Sequence, residues 1–471
     1  MLFWFFSVAG RFFAAVPAVV PALLCRALGM GAFLLSAKHR RRALSNLHHA
    51  FPEKTDAWRR RVCVESFSRM AEMGLFVMAS PYFGERRLRR MFTADKSLTV
   101  GASRLAEKGT PSVILVPHFS LMEALTRVRV ICPEFPKWLD VGVFYRPFGN
   151  PAVERWVRRS RERFGIRMLS RRAGFGAAMG ILREKGAAAV LFDQKTGGPG
   201  ALSLFMGRLA SSSELAGLLA EKYGARCVAF YAERTGFWRG ILRSEFVHEG
   251  ADAGAVTIAA NLWLEKKLRL DDNHCADWLW AHRRWQTQDK PPRRFRLWQK
   301  RNLLAENIAA LGLTECPRNE RFWFLMPDAP EDLAPAVQLV RELRLSRPDA
   351  AVTLLADAKF TAALERERVA EAVLATPERP SQRRRFFKKL RREWPDTCVV
   401  FPETEERARE AALTRAPQRF GICRDGRKRK GLTHCWEAPP GVTDKADLWR
   451  RWFESHGLPP RNTPADAQKS A

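Results

Sequence analysis

Short apolar runs alternate with longer amphipathic segments along the chain. Four runs in the first half have the length and composition of buried strands, at residues 112–116, 141–145, 187–192 and 226–231. The amphipathic segments predict helices at residues 55–78, 150–164 and 211–223. Strands that alternate with helices are typical of an α/β fold, in which helices cover a central sheet.

The alternation is broken at residues 290–296, where the sequence KPPRRFR combines two prolines with three arginines. Beyond it, strands are predicted at residues 322–326, 351–355 and 398–401, with helices between them. The break is therefore a candidate boundary between a larger first α/β unit and a smaller second one. The length of 471 residues agrees with two or three domains.

The N-terminal 37 residues are mostly apolar, with Arg11 and Arg26 as interruptions. The longest uninterrupted apolar stretch has 14 residues, whereas a spanning helix needs about 20. A basic cluster at residues 38–42 follows, and each cation near an anionic headgroup surface contributes about 1 kcal/mol. We expect a docked or marginally spanning membrane anchor here; the alternative is a buried helical hairpin of a soluble domain.

The net charge is +30, because 80 Lys+Arg oppose 50 Asp+Glu, and residues 1–300 carry +24 of it. Such an excess favours an anionic partner, either nucleic acid, anionic lipid or an acidic protein. Hydrophobic residues make up 46% of the chain, which excludes global disorder and a polytopic membrane protein. The nine cysteines lack a C-x-x-C pair, which favours reduced thiols over a disulfide framework or a zinc site.

The most informative motif is His118-Phe119-Ser120-Leu121-Met122-Glu123, directly after a predicted strand. An imidazole can accept a hydroxyl proton near neutral pH, and a carboxylate on its other nitrogen fixes the tautomer. Alone, the H-x-x-x-x-E pattern is weak, and by itself it favours a satisfied core histidine beside a glutamate at a helix start.

Further motifs, in order along the chain, resemble the late acyltransferases of lipid A biosynthesis, the lauroyl/myristoyl transferase family. The His118–Glu123 spacing resembles the catalytic H-x4-[DE] motif of that family. The other matching segments are Asn46-Leu47 with Phe51-Pro52, Tyr145-Arg146-Pro147 with Asn150-Pro151, Met168-Leu169-Ser170-Arg171, Asp193-Gln194, and residues 277–285 (DWLWAHRRW). The resemblance covers about residues 1–290.

This resemblance implies that His118 deprotonates a hydroxyl of a lipid A precursor, which then attacks the thioester of an acyl-acyl carrier protein. Glu123 would orient the imidazole of His118 and stabilise its charged form. The implied reaction needs no metal or cofactor. Arg146 and Arg171 would bind phosphate or the developing oxyanion, or else be ordinary surface charge. Tyr145 lies in the same implied substrate-binding segment. Asp193 would orient one of these arginines or cap a strand end.

More faintly, residues 318–435 resemble the N-terminal lobe of lipopolysaccharide heptosyltransferases. The matches are residues 322–327 followed by Asp332, the segment around Pro348, and residues 417–421. Glu331 stands where that family has a glycine, and we expect no lobe for a nucleotide-sugar donor unless a separate chain supplies it. We therefore interpret this unit as an accessory domain. Its basic stretch at residues 383–394 is either a contact for phosphates or a solvated helix face.

The predicted fold class is α/β. A glycerolphosphate-acyltransferase-like αβ domain with an N-terminal membrane-associated helix precedes a smaller Rossmann-like α/β domain. The boundaries are 1–37 for the membrane anchor, 38–296 for the acyltransferase domain, 297–317 for a linker and 318–471 for the accessory domain.

The expected partners are acyl carrier protein, a lipid A precursor glycolipid and the anionic surface of the inner membrane, on its cytoplasmic face. Two alternatives remain: an acyltransferase that acts on another glycolipid, and a non-enzymatic basic protein that binds nucleic acid or membranes. No nucleic-acid partner is expected, because the chain has no recognisable nucleic-acid-binding module. The sequence also lacks a Walker P-loop, a G-x-S-x-G elbow and an H-E-x-x-H motif.

Overall fold

The computed structural model describes residues 2–107, 109–170, 174–196, 200–249, 252–286, 288–299 and 301–460. These form two compact units. The first comprises the described residues of Met1–Met206, Ala210–Trp285 and Arg301–Ala310, and the second those of Gly207–Leu209, Gln286–Lys300 and Leu311–Ala471.

The first unit is a seven-stranded sheet with helices around it and a small three-stranded sheet beside it. Its helices are α1 (Leu2–Ala15), α2 (Val19–Leu35), α3 (Ala37–Ala50), α4 (Asp56–Ala79), α5 (Glu85–Met91), α6 (Lys96–Glu107), α7 (Val128–Ile131), α8 (Pro151–Glu162), α9 (Phe175–Arg183), α10 (Leu215–Tyr223), α11 (Ala253–Leu270), α12 (Asp272–Ala276) and α13 (Leu304–Ala310). Its strands are β1 (Phe92–Ala94), β2 (Ser112–Val116), β3 (Val141–Tyr145), β4 (Ile166–Ser170), β5 (Ala187–Leu191), β6 (Ala201–Phe205), β7 (Arg208–Ser212), β8 (Arg226–Gly236), β9 (Arg239–His248) and β10 (Arg301–Asn302).

The large sheet has the strand order β1-β9-β8-β2-β5-β3-β4, and the small one has the order β10-β6-β7. Strands β8, β2, β5, β3 and β4 run parallel to one another, whereas β8 and β9 form an antiparallel hairpin. Strand β2 is buried along its whole length and β5 is buried except at Leu191, as expected for parallel strands covered on both faces. Apolar clusters fill both sides of this sheet.

Helices α1 and α2 pack against the long helix α4. A Cβ atom at Gly29 of α2 would lie 2.6 Å from the Cα atom of Ser68, so only glycine permits this close approach. The outer side of both helices exposes large apolar side chains, among them Trp4 (70% exposed) and Leu35 (87%). No single helix among the described residues is long and apolar enough to cross a membrane, although α2 and α3 together, bent by 94°, meet the length and composition criteria.

The second unit contains a six-stranded, fully parallel sheet. Its strands are β11 (Glu320–Leu325), β12 (Ala350–Asp357), β13 (Ala372–Thr376), β14 (Thr397–Val400), β15 (Gln418–Cys423) and β16 (His434–Glu437). Its helices are α14 (Leu333–Ser346), α15 (Ala358–Arg366), α16 (Pro380–Leu390), α17 (Glu405–Leu413) and α18 (Lys445–Ser455). The spatial order β13-β12-β11-β14-β15-β16 corresponds to 3-2-1-4-5-6 in chain order, an arrangement also found in dinucleotide-binding sheets.

Short 3-10 helices complete the described secondary structure, at Ser80–Tyr82, Met122–Arg127, Pro291–Arg293, Pro330–Asp332 and Arg391–Glu393. The predicted linker at residues 297–317 instead contains β10 and α13, and β10 pairs with β6 of the first unit. Apart from Gly207–Leu209, the second unit begins at Gln286, ahead of the predicted break at 290–296.

The cysteines differ from the expectation of reduced thiols at one place. Cys423 and Cys435 lie on the neighbouring parallel strands β15 and β16 and form a disulfide. The other seven cysteines are free and buried. Sequence spacing alone does not show that two strands pair, so it could not predict this bond.

Candidate active site

His118 and Asp193 come together because two parallel strands end side by side. Strands β2 and β5 are neighbours, and Val116 at the end of β2 pairs with Leu191 at the end of β5. His118 and Asp193 each follow two residues after these paired ends. Because both residues lie two positions beyond a pair of neighbouring residues, their side chains meet at the carboxyl edge of the sheet. Ligands bind at this edge in α/β sheets.

The carboxylate of Asp193 makes two hydrogen bonds to His118. One oxygen lies 2.5 Å from Nδ1 of the imidazole, and the other accepts the backbone N–H of His118 at 2.9 Å. Burial alone would raise the pKa of Asp193, but the charge and hydrogen bonds of His118 outweigh it and hold the pKa at about 2. Ionised Asp193 can only accept, so in the neutral form of the imidazole Nδ1 carries the proton and Nε2 is the proton acceptor.

A short segment after α12 contacts Asp193 and the loop that follows His118. The indole N–H of Trp278 donates to Asp193 at 2.7 Å, and the preceding residue, Asp277, accepts the hydroxyl of Ser120. The hydroxyl of Ser66 on α4 in turn donates to the carbonyl of Trp278 at 2.6 Å. All these polar side chains are buried, so their geometry is fixed by the core around them.

Glu123 is not the hydrogen-bond partner of Nδ1 of His118, which corrects the orienting role that the sequence suggested. It is buried in the 3-10 helix Met122–Arg127, and its carboxylate accepts from Arg161 of α8 at 2.8 and 3.1 Å. Arg127 lies 3.4 Å from the same carboxylate. The five-residue spacing places Glu123 in the same region as His118, but the carboxylate is held by these two guanidinium groups.

The Glu123→Gln variant is expected to lose about 3–5 kcal/mol of folding free energy, because it leaves two largely buried guanidinium groups without their anion. The midpoint of urea unfolding measures this loss. Glu162→Gln is a suitable control, because the ion pair of Glu162 with Arg158 is much more exposed. If Glu123→Gln were as stable as the wild type, the ion pairs would not hold this helix.

His118 and Glu123 both line a cavity of about 660 Å³ in the first unit. Its walls are mostly apolar, and many of the lining side chains stand at alternate positions of the parallel strands, since side chains in a strand have a period of two. These wall residues are Ile114 and Val116 of β2, Val141 and Val143 of β3, Ile166 and Met168 of β4, and Ala189 and Leu191 of β5. The volume lies within the range of about 300–1,000 Å³ that is typical of ligand pockets.

The remaining predicted site residues have different positions. Tyr145 and Arg146 line the cavity, but the hydroxyl of Tyr145 donates to Glu154 of α8. Burial and this hydrogen bond raise the pKa of Tyr145 to about 12. Arg146 is exposed. Arg171 lies outside the described residues, so its predicted contact with phosphate or an oxyanion stays a prediction.

Two residues of the site were not found from the sequence. Arg161 holds Glu123 and lines the cavity, and Trp278 holds Asp193. Trp278 belongs to the DWLWAHRRW block, so its motif was recognised but not its hydrogen bond. In the part of the chain that the structure describes, no group of three or more His, Cys, Asp or Glu side chains could hold a metal ion.

These features define an α/β protein with a histidine–aspartate pair beside an apolar cavity. The sequence model of the family described as "Bacterial lipid A biosynthesis acyltransferase" matches residues 1–287, which is more than half of the chain. The chain therefore belongs to this family of acyltransferases, for which a lipid A precursor is the acceptor. A comparison with curated proteins gives no match.

Two solved structures resemble part of the chain. They are the glycosyl transferase family 9 protein from Veillonella parvula, with 16% identity and a TM-score of 0.27, and the ADP-heptose lipopolysaccharide heptosyltransferase II from E. coli, with 20% and 0.25. Each likeness covers 30% of this chain and 42% of the other, so the chain spans less than half of either protein.

Proposed function

We propose that the protein transfers a fatty acyl chain from acyl-acyl carrier protein to a hydroxyl of a lipid A precursor, with His118 as general base. The observation that carries this proposal is the His118–Asp193 pair on the wall of an apolar cavity. Family membership supports the reaction class and the acceptor. The alternative of a binding protein without catalysis gives no reason for this buried pair.

In the proposed reaction, Nε2 of His118 takes the proton of the acceptor hydroxyl while the oxygen attacks the thioester carbonyl. The tetrahedral intermediate then collapses, the carbon–sulfur bond breaks, and the thiolate takes the proton back from the imidazolium. Asp193 is ionised throughout and stabilises the imidazolium without accepting its proton. Arg146, at the cavity, is the proposed donor to the oxyanion or to a phosphate of the acceptor.

The cavity is the proposed site of the acyl chain. Ala189 lies on the central strand β5 between Ile114 of β2 and Val143 of β3, and all three side chains line the cavity. A methyl group at this position leaves space for hydrocarbon, so a larger side chain would shorten the available depth.

Replacement of Ala189 by Val and then by Leu is expected to shift donor preference stepwise toward shorter acyl chains, by about tenfold or more for Leu. The shift follows from the 1–3 kcal/mol, or about 10–200-fold, that one methylene is worth in an apolar pocket. Competition between acyl donors of different length, followed by mass spectrometry of the product, measures it. An unchanged preference in folded variants would place the acyl chain elsewhere.

We place the protein at the cytoplasmic face of the inner membrane, with α1 and α2 as the docking element. The support is their exposed apolar side, together with the basic cluster at residues 38–42, whose cations suit anionic headgroups. The exposed apolar residues include Val8, Phe12, Val19, Leu23, Leu28 and Leu34. The second unit is proposed as a Rossmann-like accessory domain.

The direct test incubates membranes that contain the protein with acyl-acyl carrier protein and a tetra-acylated lipid A precursor. The expected result is a product heavier by one acyl group in the mass spectrum. No added mass from folded protein, over several donor chain lengths, would contradict the proposal. A mass gain on another glycolipid alone would favour the alternative acceptor.

A further inference from the structure

Helix α16 of the second unit has two sides of opposite character. Arg383 and Phe387, four residues apart, are buried. The carboxylate of Glu410 neutralises Arg383 with hydrogen bonds of 2.5 and 2.9 Å, and Phe387 joins an apolar cluster between the helix and the sheet. These contacts attach the helix firmly to the domain and fix which side faces outward.

The outward side is a continuous basic surface. Arg384 and Lys388 are one helical turn apart, as are Arg385 and Lys389, so these four cations cover the side opposite to the buried one. Two more arginines follow in the 3-10 helix that continues α16. All six side chains are exposed, and none has an acidic partner within 4.0 Å among the described residues; we call Arg384, Arg385, Lys388, Lys389, Arg391 and Arg392 the basic face.

We propose that the basic face is a second membrane contact, which binds the anionic lipid surface through electrostatic attraction alone. Six exposed cations on about three helical turns concentrate positive charge on one surface, which favours an anionic partner. The large apolar side chains of this helix are buried or half-buried, so the basic face has no exposed apolar side chain that could insert into the bilayer.

Mobile lipid headgroups fit such a face better than a rigid nucleic acid. The six side chains are long, exposed and unconstrained by hydrogen bonds to neighbours, so they do not form a preset array for fixed phosphates. The chain also belongs to a family whose acceptor is an anionic glycolipid, which brings the protein to a charged membrane. The contact is independent of acyl transfer, and its failure would leave the proposed reaction intact.

The test compares flotation of the full-length protein with phosphatidylcholine vesicles and with vesicles that contain 30 mol% phosphatidylglycerol. For the wild type we expect stronger binding to the anionic vesicles, and 0.5 M NaCl should remove most of the gain. In the variant R384Q/R385Q/K388Q/K389Q, the gain in binding on anionic vesicles should be smaller than in the wild type by about tenfold or more. Its binding to phosphatidylcholine should be unchanged, because the apolar side of α1 and α2 is intact.

A control variant, K359Q/R366Q/R368Q/R409Q, removes the same charge from exposed positions elsewhere in the second unit. It should keep most of the gain. An equal loss in the control would show that net charge and not the basic face is responsible, and would overturn the proposal. So would a basic-face variant that binds anionic vesicles like the wild type. Tighter binding of a 20-nucleotide RNA than of vesicles, lost only in the basic-face variant, would identify a nucleic-acid site instead.

Discussion

Replacement of His118 by alanine is expected to reduce acyl transfer by about 10²–10⁴-fold, because the reaction loses its proton acceptor. His118 is on the cavity wall, and its buried partner Asp193 leaves only Nε2 free to act as a base. Single-turnover transfer from labelled acyl-acyl carrier protein measures the effect on chemistry separately from substrate binding.

A matched control is available in the same unit. His274 is also buried and also has a carboxylate on Nδ1, from Asp271 at 3.0 Å, but it lies outside the cavity lining. The His274→Ala variant should therefore keep its activity where it is folded. Full activity of His118→Ala would assign the base to another group and leave the cavity as a binding site only.

Replacement of Asp193 by asparagine is expected to be almost as damaging, with a loss of about 10²–10⁴-fold. The amide lacks the charge that stabilises the imidazolium. It can also donate to Nδ1, which would move the proton to Nε2 and remove the base. Because the effect is on proton transfer, the turnover number should fall while the apparent affinity for the lipid changes little.

The pH dependence separates this role from a structural one. The pKa of Asp193 is about 2, below its ordinary value of 3.8, so its contribution to stability is complete above about pH 4 and is lost as the pH falls toward 2. In Asp193→Asn the imidazolium has lost its anion. The acid limb of the pH–activity profile, measured on the activity that remains, should therefore move to lower pH. An unshifted limb with equal loss would indicate a purely structural aspartate.

Much of the fold followed from sequence pattern. The predicted strands 112–116 and 141–145 match β2 and β3 residue for residue, and the predicted helix 55–78 corresponds to α4. Continuous apolar runs and amphipathic periodicity are strong local signals. The predicted helix 211–223 began too early, because Ser211 and Ser212 end strand β7. The hairpin strand β9 was missed, because its charged residues interrupt the apolar pattern of a strand that is only partly buried.

The site was predicted less completely, for a physical reason. Proximity in sequence suggested Glu123 as the partner of His118, whereas the pairing depends on the register of β2 against β5, which brings Asp193 across 75 residues. Both residues were identified as candidates from motifs. A single sequence does not show the order of strands in the sheet. This order determines which carboxylate forms the hydrogen bond with the imidazole of His118.

The register between β2 and β5 also limits how this enzyme can evolve. The same pairing aligns His118 with Asp193 and aligns the apolar wall residues with the cavity. Because side chains alternate along a strand, inserting or deleting one residue within β2 or β5 would turn the wall residues to the opposite side and separate the pair at once. Related proteins that prefer acyl chains of another length should therefore differ by substitutions at alternate positions of β2 and β5. The lengths of these two strands should be the same in all of them.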